Sequence, residues 1–270
     1  MADAATGPME SLSSWWKVAA LGTMAAGFAV LILLTVKAYE NAPPIPEKFV
    51  NPAGRVVFTA DDVIAGQQVF LKHGLMDNGT IWGHGGYLGP DFSAQSLHIL
   101  ALDLADRIAR ERLCRGYTDL TPDERAAVEG AVALDLKTNR YDPPTGTLAL
   151  PKGAAESFNG QVEYWTRYFG RPERNGGLAR ETVSDPRELH QLSAFFAWTA
   201  WASAATRPGT SHSYTNNFPY EPLAGNTPTP SALIYSALSL VFLLGGTAAV
   251  LLAFGKFDYL GWHRREAAFP

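Results

Sequence analysis

Cysteine is nearly absent: Cys114 is the only one in 270 residues. A single thiol excludes an internal disulfide, and without Cys-x-x-Cys-His no c-type haem can be attached covalently in the usual way. Charge is sparse as well. Asp, Glu, Lys and Arg make up 18% of the chain and the net charge is −4, which argues against nucleic acid, a partner that asks for a basic face. No phosphate-binding Gly-x-x-x-x-Gly-Lys loop and no Gly-x-Ser-x-Gly turn occurs, so that type of nucleotide cradle and the nucleophile elbow are excluded. Six histidines are present, yet no two have the spacing that puts metal ligands on one helix face.

Charge is missing most conspicuously from two runs. Residues 18–36, about 19 in all, lie between Lys17 and Lys37, and residues 231–254, about 24, end before Lys256. A helix needs about 20 apolar residues to cross the hydrocarbon core, so both runs are predicted to span a lipid bilayer. The first run is not read as a cleaved signal peptide. Its leader carries Asp3 and Glu10 and no Lys or Arg before Lys17, and Tyr39-Glu40-Asn41 follows in place of a small-residue cleavage site. Trp15 and Trp16 suit an interfacial anchor. Neither run contains an ionisable residue, so neither is expected to carry an ion path or a haem ligand. Lys256, Arg264 and Arg265 follow the second run, which by the positive-inside rule makes the C-terminal flank cytoplasmic. The predicted order is then a cytoplasmic leader (1–17), a span (18–36), an extracytoplasmic domain (37–230), a second span (231–254) and a cytoplasmic tail (255–270). In a bacterium this is an inner-membrane protein with its main domain in the periplasm.

Within the middle domain, Pro43, Pro44 and Pro46 make a stiff linker. A helix is predicted from Thr59, a capping residue followed by Asp61 and Asp62, to about His73, where Gly74 stops it. Ser93 is the expected cap of a helix over 94–115, with Leu97, Leu100, Ala101, Leu104 and Ile108 on one face. Thr121-Pro122-Asp123-Glu124 is a full start signal for a helix ending near Thr138. Further helices are expected over 156–169 and from Asp185-Pro186 to about Thr206. No convincing strand is read, and the fold class expected is an all-α membrane protein.

Three segments stand apart. Residues 74–90 form a loop with six glycines that also holds Leu75, Met76, Ile81, Trp82, Tyr87 and Leu88, side chains that favour burial; His84 there could be a ligand or a hydrogen-bond post. Phe195, Phe196, Trp198 and Trp201 point to more than one face of a single helix, expected to pack both on its own domain and on a partner or membrane surface. Ser211-His212-Ser213-Tyr214-Thr215-Asn216-Asn217-Phe218-Pro219-Tyr220-Glu221-Pro222 has no helical period; its amides and phenols could bond a neighbouring subunit or simply order a linker. His73, His98 and His190 read as ordinary helix residues.

The loop from Gly74 to Phe92, the run from Ser213 to Pro222 and Phe196-Ala197-Trp198-Thr199-Ala200-Trp201 resemble the amino-terminal region of quinol-dependent nitric oxide reductases, and so does the order of span, outer domain and span. The resemblance implies a cytochrome c-like helical domain without haem, flanked by two spans. Members reduce two nitric oxide molecules to nitrous oxide and water with electrons from quinol. In haem-bearing relatives a Cys-x-x-Cys-His precedes a Gly-x-Gly-Ala-Tyr-x-x-Pro segment. Here Gly83-His84-Gly85-Gly86-Tyr87-Leu88-Gly89-Pro90 keeps the second part, while Leu75, Asn78 and Gly79 stand in the places of the two cysteines and the histidine. A packed loop filled by Leu75, Met76 and Trp82 is expected instead of a cofactor loop.

In those relatives the residues matching Gly85 and Tyr87 help hold a calcium ion at the boundary with the catalytic subunit; the alternative for Tyr87 is packing alone. The family's b-type haems and non-haem iron are held by histidines and glutamates on later spans, and the sequence reaches Pro270 before any of them. The resemblance therefore implies that this region is non-catalytic by itself, binds no haem of its own, and caps a catalytic membrane core supplied by a separate chain or a longer product. The alternatives are a two-span extracytoplasmic sensor or an accessory subunit of another respiratory complex. Reporter fusions check the topology: a fusion after Gly160 is expected to report an extracytoplasmic position and one at Pro270 a cytoplasmic position, and the reverse pattern overturns the orientation.

Overall fold

The computed structural model describes residues 14–171 and 175–257. Arg264 and Arg265, on which the orientation rests, and most of the leader lie outside the described residues. The chain divides into two units, residues 1–44 and 45–270. The first unit holds a helix, α1 (Ser14–Glu40), whose end is tied by a 2.9 Å ion pair from Lys37 to Glu40. The second unit holds the helical domain and α8 (Pro230–Gly255), which begins on a Thr229 cap with proline at its first position. Residues 17–40 and 230–255 are each long and apolar enough to cross a membrane. Leu21, Phe28 and Ile32 on α1, and Leu238, Phe242 and Leu244 on α8, are exposed, an arrangement water disfavours and lipid accepts.

The domain opens with two short strands, β1 (Lys48–Val50) and β2 (Val56–Thr59), then α2 (Ala60–Lys72). A four-residue helix α3 (Leu75–Asn78) and the two-residue strands β3 (Thr80–Ile81) and β4 (His84–Gly85) lead to α4 (Phe92–Leu113). After α5 (Pro122–Lys137) come β5 (Tyr141–Asp142) and β6 (Thr147–Ala149), then α6 (Lys152–Gly170) and α7 (Pro186–Ala204). The domain is mainly helical, as expected, but the expectation of no strands is corrected. A four-stranded sheet runs in the order β2-β1-β6-β5, with β1 and β6 parallel and the other pairs antiparallel. Its strands are two to four residues long, too short for an alternating pattern to show, and Lys48 pairs with Thr147 far along the chain.

Capping explains the starts. Thr59 and Asp62 form one reciprocal capping box and Thr121 and Glu124 another, each satisfying free amides of the first turn. The cap of α4 is Asp91, not Ser93: Asp91 Oδ1 accepts from Ala94 N at 2.8 Å, and the Ser93 hydroxyl donates to the same carboxylate. The helix α6 begins at Lys152, before the expected 156, because Pro151 starts it with no side-chain cap to signal the position.

Helix α7 is the centre of the domain. Phe195, Phe196 and Trp198 are buried with Leu189 and Leu192, and the helix touches α2, α4 and α6. The aromatic pattern thus marks a core helix enclosed by its own domain, which corrects the expectation of an outward-facing surface on it. Phe92, Trp165, Phe169 and Phe196 form the densest part of that core; the Phe92 and Phe196 rings stack at 4.8 Å with an interplanar angle of 7°. A second cluster, of Leu97, Leu104, Val128, Val132 and Ala204, joins α4, α5 and α7.

Where α2 crosses α7 the backbones meet. A methyl group on Gly66 would lie 2.6 Å from the Gln191 carbonyl carbon and 2.8 Å from Phe195 Cβ. Backbone cannot retreat as a flexible side chain can, so Gly66→Ala is expected to push the two helices apart. Overpacking of this kind costs about 1–3 kcal/mol, and the upper end is expected here. Thermal melting of the full chain checks it: an unchanged midpoint contradicts the crossing as described.

Candidate functional site

The glycine-rich loop, residues 74–90, is fastened from below by one carboxylate. Asp91 Oδ2 accepts from the Thr80 hydroxyl at 2.7 Å and from Gly83 N at 2.6 Å, while Oδ1 caps α4. Ser93, whose hydroxyl donates to Asp91, accepts in turn from Trp82 N at 3.1 Å. The Trp82 indole donates to Thr199 O at 3.2 Å and to Ser203 Oγ at 3.0 Å, so the loop hangs on α7. The Asn78 carbonyl accepts from Leu88 N and Gly89 N, and its side chain donates to Gly176 O at 2.7 Å.

Two glycines are required by close approach. Gly79 is pressed against Phe92: an added Cβ would lie 2.6 Å from that ring and closer still to Pro90 O. Gly85 has φ of +142°, a conformation barred to most side chains, and an added Cβ would lie 2.9 Å from Met76 O. These contacts fold the loop tightly and fix what projects from it. Leu75 is fully buried and Trp82 partly so, as expected; Met76, expected to fill the loop interior, is 46% exposed. It is turned out because the short helix α3 places Leu75 and Asn78 inward.

Tyr87 is 89% exposed and Leu88 77% exposed. Packing within this chain therefore does not account for Tyr87. Gly85 and His84 are exposed beside it. A cation there would find the Gly85 carbonyl and the Tyr87 hydroxyl, two neutral oxygens where calcium takes six to eight. No group of three or more His, Cys, Asp or Glu side chains that could hold a metal occurs among the described residues. The donor set suits a share of a calcium site and does not make one alone.

The polar segment before α8 turns its groups inward. Asn217 Oδ1 accepts from Ser213 N at 3.0 Å, and the Tyr214 hydroxyl accepts from Asn139 Nδ2 at 3.1 Å. Asn226 is fully buried and donates to Ser203 O at 2.9 Å and Pro219 O at 3.1 Å. Glu221 Oε2 lies 2.7 Å from His98 Nδ1, and His73 Nε2 meets Glu188 at 2.8 Å. Both histidines thus serve structural pairs; the Glu188 carboxyl is held below its usual range by Lys72 and then His73. Phe218 lies against Gly83, joining this segment to the loop, and Tyr220 is 65% exposed. The sequence pattern did not reveal Lys137, which ties the segment down. Its ammonium donates to Asn217 Oδ1 at 2.9 Å and to Asn226 Oδ1. Burial pushes its pKa down to about 8.

Asp91→Ala removes a helix cap and three further bonds to a carboxylate, an expected loss of about 2–4 kcal/mol. Amide exchange should quicken over residues 80–90 while α5 is unaffected; unchanged exchange in the loop would show that Asp91 does not hold it. Lys137 gives a pH dependence. Its folded pKa of about 8 lies below the ordinary 10.5, so between these values the unfolded chain binds more protons and stability rises with pH. Melting curves of wild type and Lys137→Gln are expected to diverge in favour of wild type as pH rises from 8 to 10; parallel curves count against the buried ammonium.

The NorB cytochrome c-like domain family, a domain of nitric oxide reductase, matches residues 46–220. No curated protein matches the chain. The matched stretch begins after α1 and contains the loop, Lys137 and the start of the polar segment, ending at Tyr220.

Proposed function

Because this chain belongs to the NorB cytochrome c-like domain family of nitric oxide reductase, we propose that it is the haem-free outer portion of a quinol-dependent enzyme. It caps a catalytic membrane core on the extracytoplasmic side. The two apolar helices anchor it in the bacterial inner membrane, with the helical domain in the periplasm. The b-type haems, the non-haem iron and the reduction of nitric oxide belong to the core. The family match favours this reading over a two-span sensor.

The observation that carries the haem-free role is the loop's interior. Leu75 and Asn78 cannot form thioether bonds, and Gly79 has no room for an imidazole because the Phe92 ring lies against it. Phe92, Trp165, Phe169 and Phe196 fill the space beneath. Without a covalent haem in this domain, no electron relay of that kind passes through it, which supports quinol as the donor to the core. What the chain's own residues do is positional. Asp91 and Trp82 fasten the loop, which leaves Gly85 and Tyr87 exposed.

An exposed phenol on a fastened loop can reach an ion shared with a neighbouring surface, and calcium at such a boundary would draw its carboxylates from the core. The test uses the assembled reductase. Tyr87→Phe keeps the ring and removes the oxygen, so calcium content and complex stability are expected to fall while the fold of this chain is unchanged. Full calcium content and unchanged nitric oxide turnover in Tyr87→Phe would sink the shared-ion role. A c-type absorption band that survives acid–acetone extraction from this chain would sink the haem-free role.

A further inference from the structure

A second site lies away from the loop, between the small sheet and helices α4, α5, α6 and α7. It is a cavity of about 40 Å³. Its walls are apolar: Phe49, Phe58 and Phe158 stack along one side, with Leu136, Leu148 and Ala200 completing it. Polar side chains line it as well: Gln161 and Trp201, with Asp135, Thr138 and Arg140. Gln161 is 2% exposed, and its amide oxygen is buried with no hydrogen-bond partner among the described residues; the same holds for the Trp201 indole nitrogen.

A buried acceptor and a buried donor left unpaired each cost about 1–3 kcal/mol, so a partner is expected for both. Trp82 shows the usual remedy, since its indole finds both Thr199 O and Ser203 Oγ. We propose that the cavity binds a hydroxyl group, which accepts from the Trp201 indole N–H and donates to Gln161 Oε1. A hydroxyl is the smallest neutral group that does both. An anion would leave the glutamine oxygen unpaired, and a hydrocarbon would leave both atoms so. The volume suits on the order of two or three water-sized spheres, so the bound molecule is water or a short alcohol. Asp135 and Arg140, which also line the cavity, are paired with each other at 2.8 Å.

The site is independent of the exposed loop and of the calcium reading, since none of its walls comes from residues 74–90. The experiment uses the full chain in lipid nanodiscs with its tryptophans labelled with nitrogen-15, the Trp201 indole signal being assigned with Trp201→Phe. Magnetisation transfer from water to the Trp201 indole proton is measured first. It is then repeated with carbon-13 ethanol at increasing concentration. Transfer from water supports the proposal with water as the resident, and transfer from ethanol supports it with a short alcohol. Gln161→Leu removes the acceptor at similar volume, and should weaken either transfer by about tenfold and shift the indole signal. An indole proton that receives transfer from neither molecule, together with an unmoved signal in Gln161→Leu, overturns the site. Thermal melting of Gln161→Leu shows that the fold is intact, and if that variant fails to fold, Gln161→Met replaces it in the same comparison.

Discussion

Everything in the helical domain depends on how closely α2 can approach α7. At Gly66 the two backbones touch, with only a hydrogen where other residues carry a side chain. That contact fixes α7 as the inner post of the domain. Phe196 on α7 then stacks on Phe92 at the start of α4, and the Trp82 indole bonds to Thr199 O and Ser203 one to two turns further along. The glycine-rich loop is therefore positioned by a helix more than one hundred residues later in sequence. A looser crossing would move the stacking surface, and with it the loop that α7 carries.

The loop shows how a rigid projection is made from residues that are individually permissive. Glycine is entropically costly to order, yet each close approach at Gly79 and Gly85 excludes any larger residue. Order is restored by one carboxylate, Asp91, which accepts from two hydroxyls and two backbone amides at once. Charged acceptors make stronger bonds than neutral ones, so a single residue can hold the turn. The outcome is a buried Leu75, an exposed Tyr87 and an interior filled by aromatic rings. The centre of this cytochrome c-like domain is filled by hydrophobic side chains.

The segment leading to α8 is held by a different device. Lys137 offers its ammonium to two amide oxygens, Asn217 and Asn226, and Glu221 is paired with His98. Polar groups that composition left free to bond a neighbouring subunit are used inside the domain. Phe218 and Tyr220 remain toward the outside, near the loop and just before the membrane helix.

The helices and the apolar runs were legible in the sequence, because their causes are local. Thr59 and Thr121 cap through residues three positions on, and hydropathy over about 20 residues needs no tertiary partner. The family resemblance was also legible, since the loop and the Ser213–Pro222 motif are long and distinctive. Tertiary packing alone settled the sheet, whose short strands pair Lys48 with Thr147 and carry no periodic signal of their own. It also decided that α7 is enclosed, that Met76 faces out and Leu75 in, that Lys137 holds Asn217 and Asn226, and that Gln161 and Trp201 share one cavity wall. Each of these is a contact between residues distant in sequence, and its side-chain direction is set by the packing of elements that no local pattern encodes.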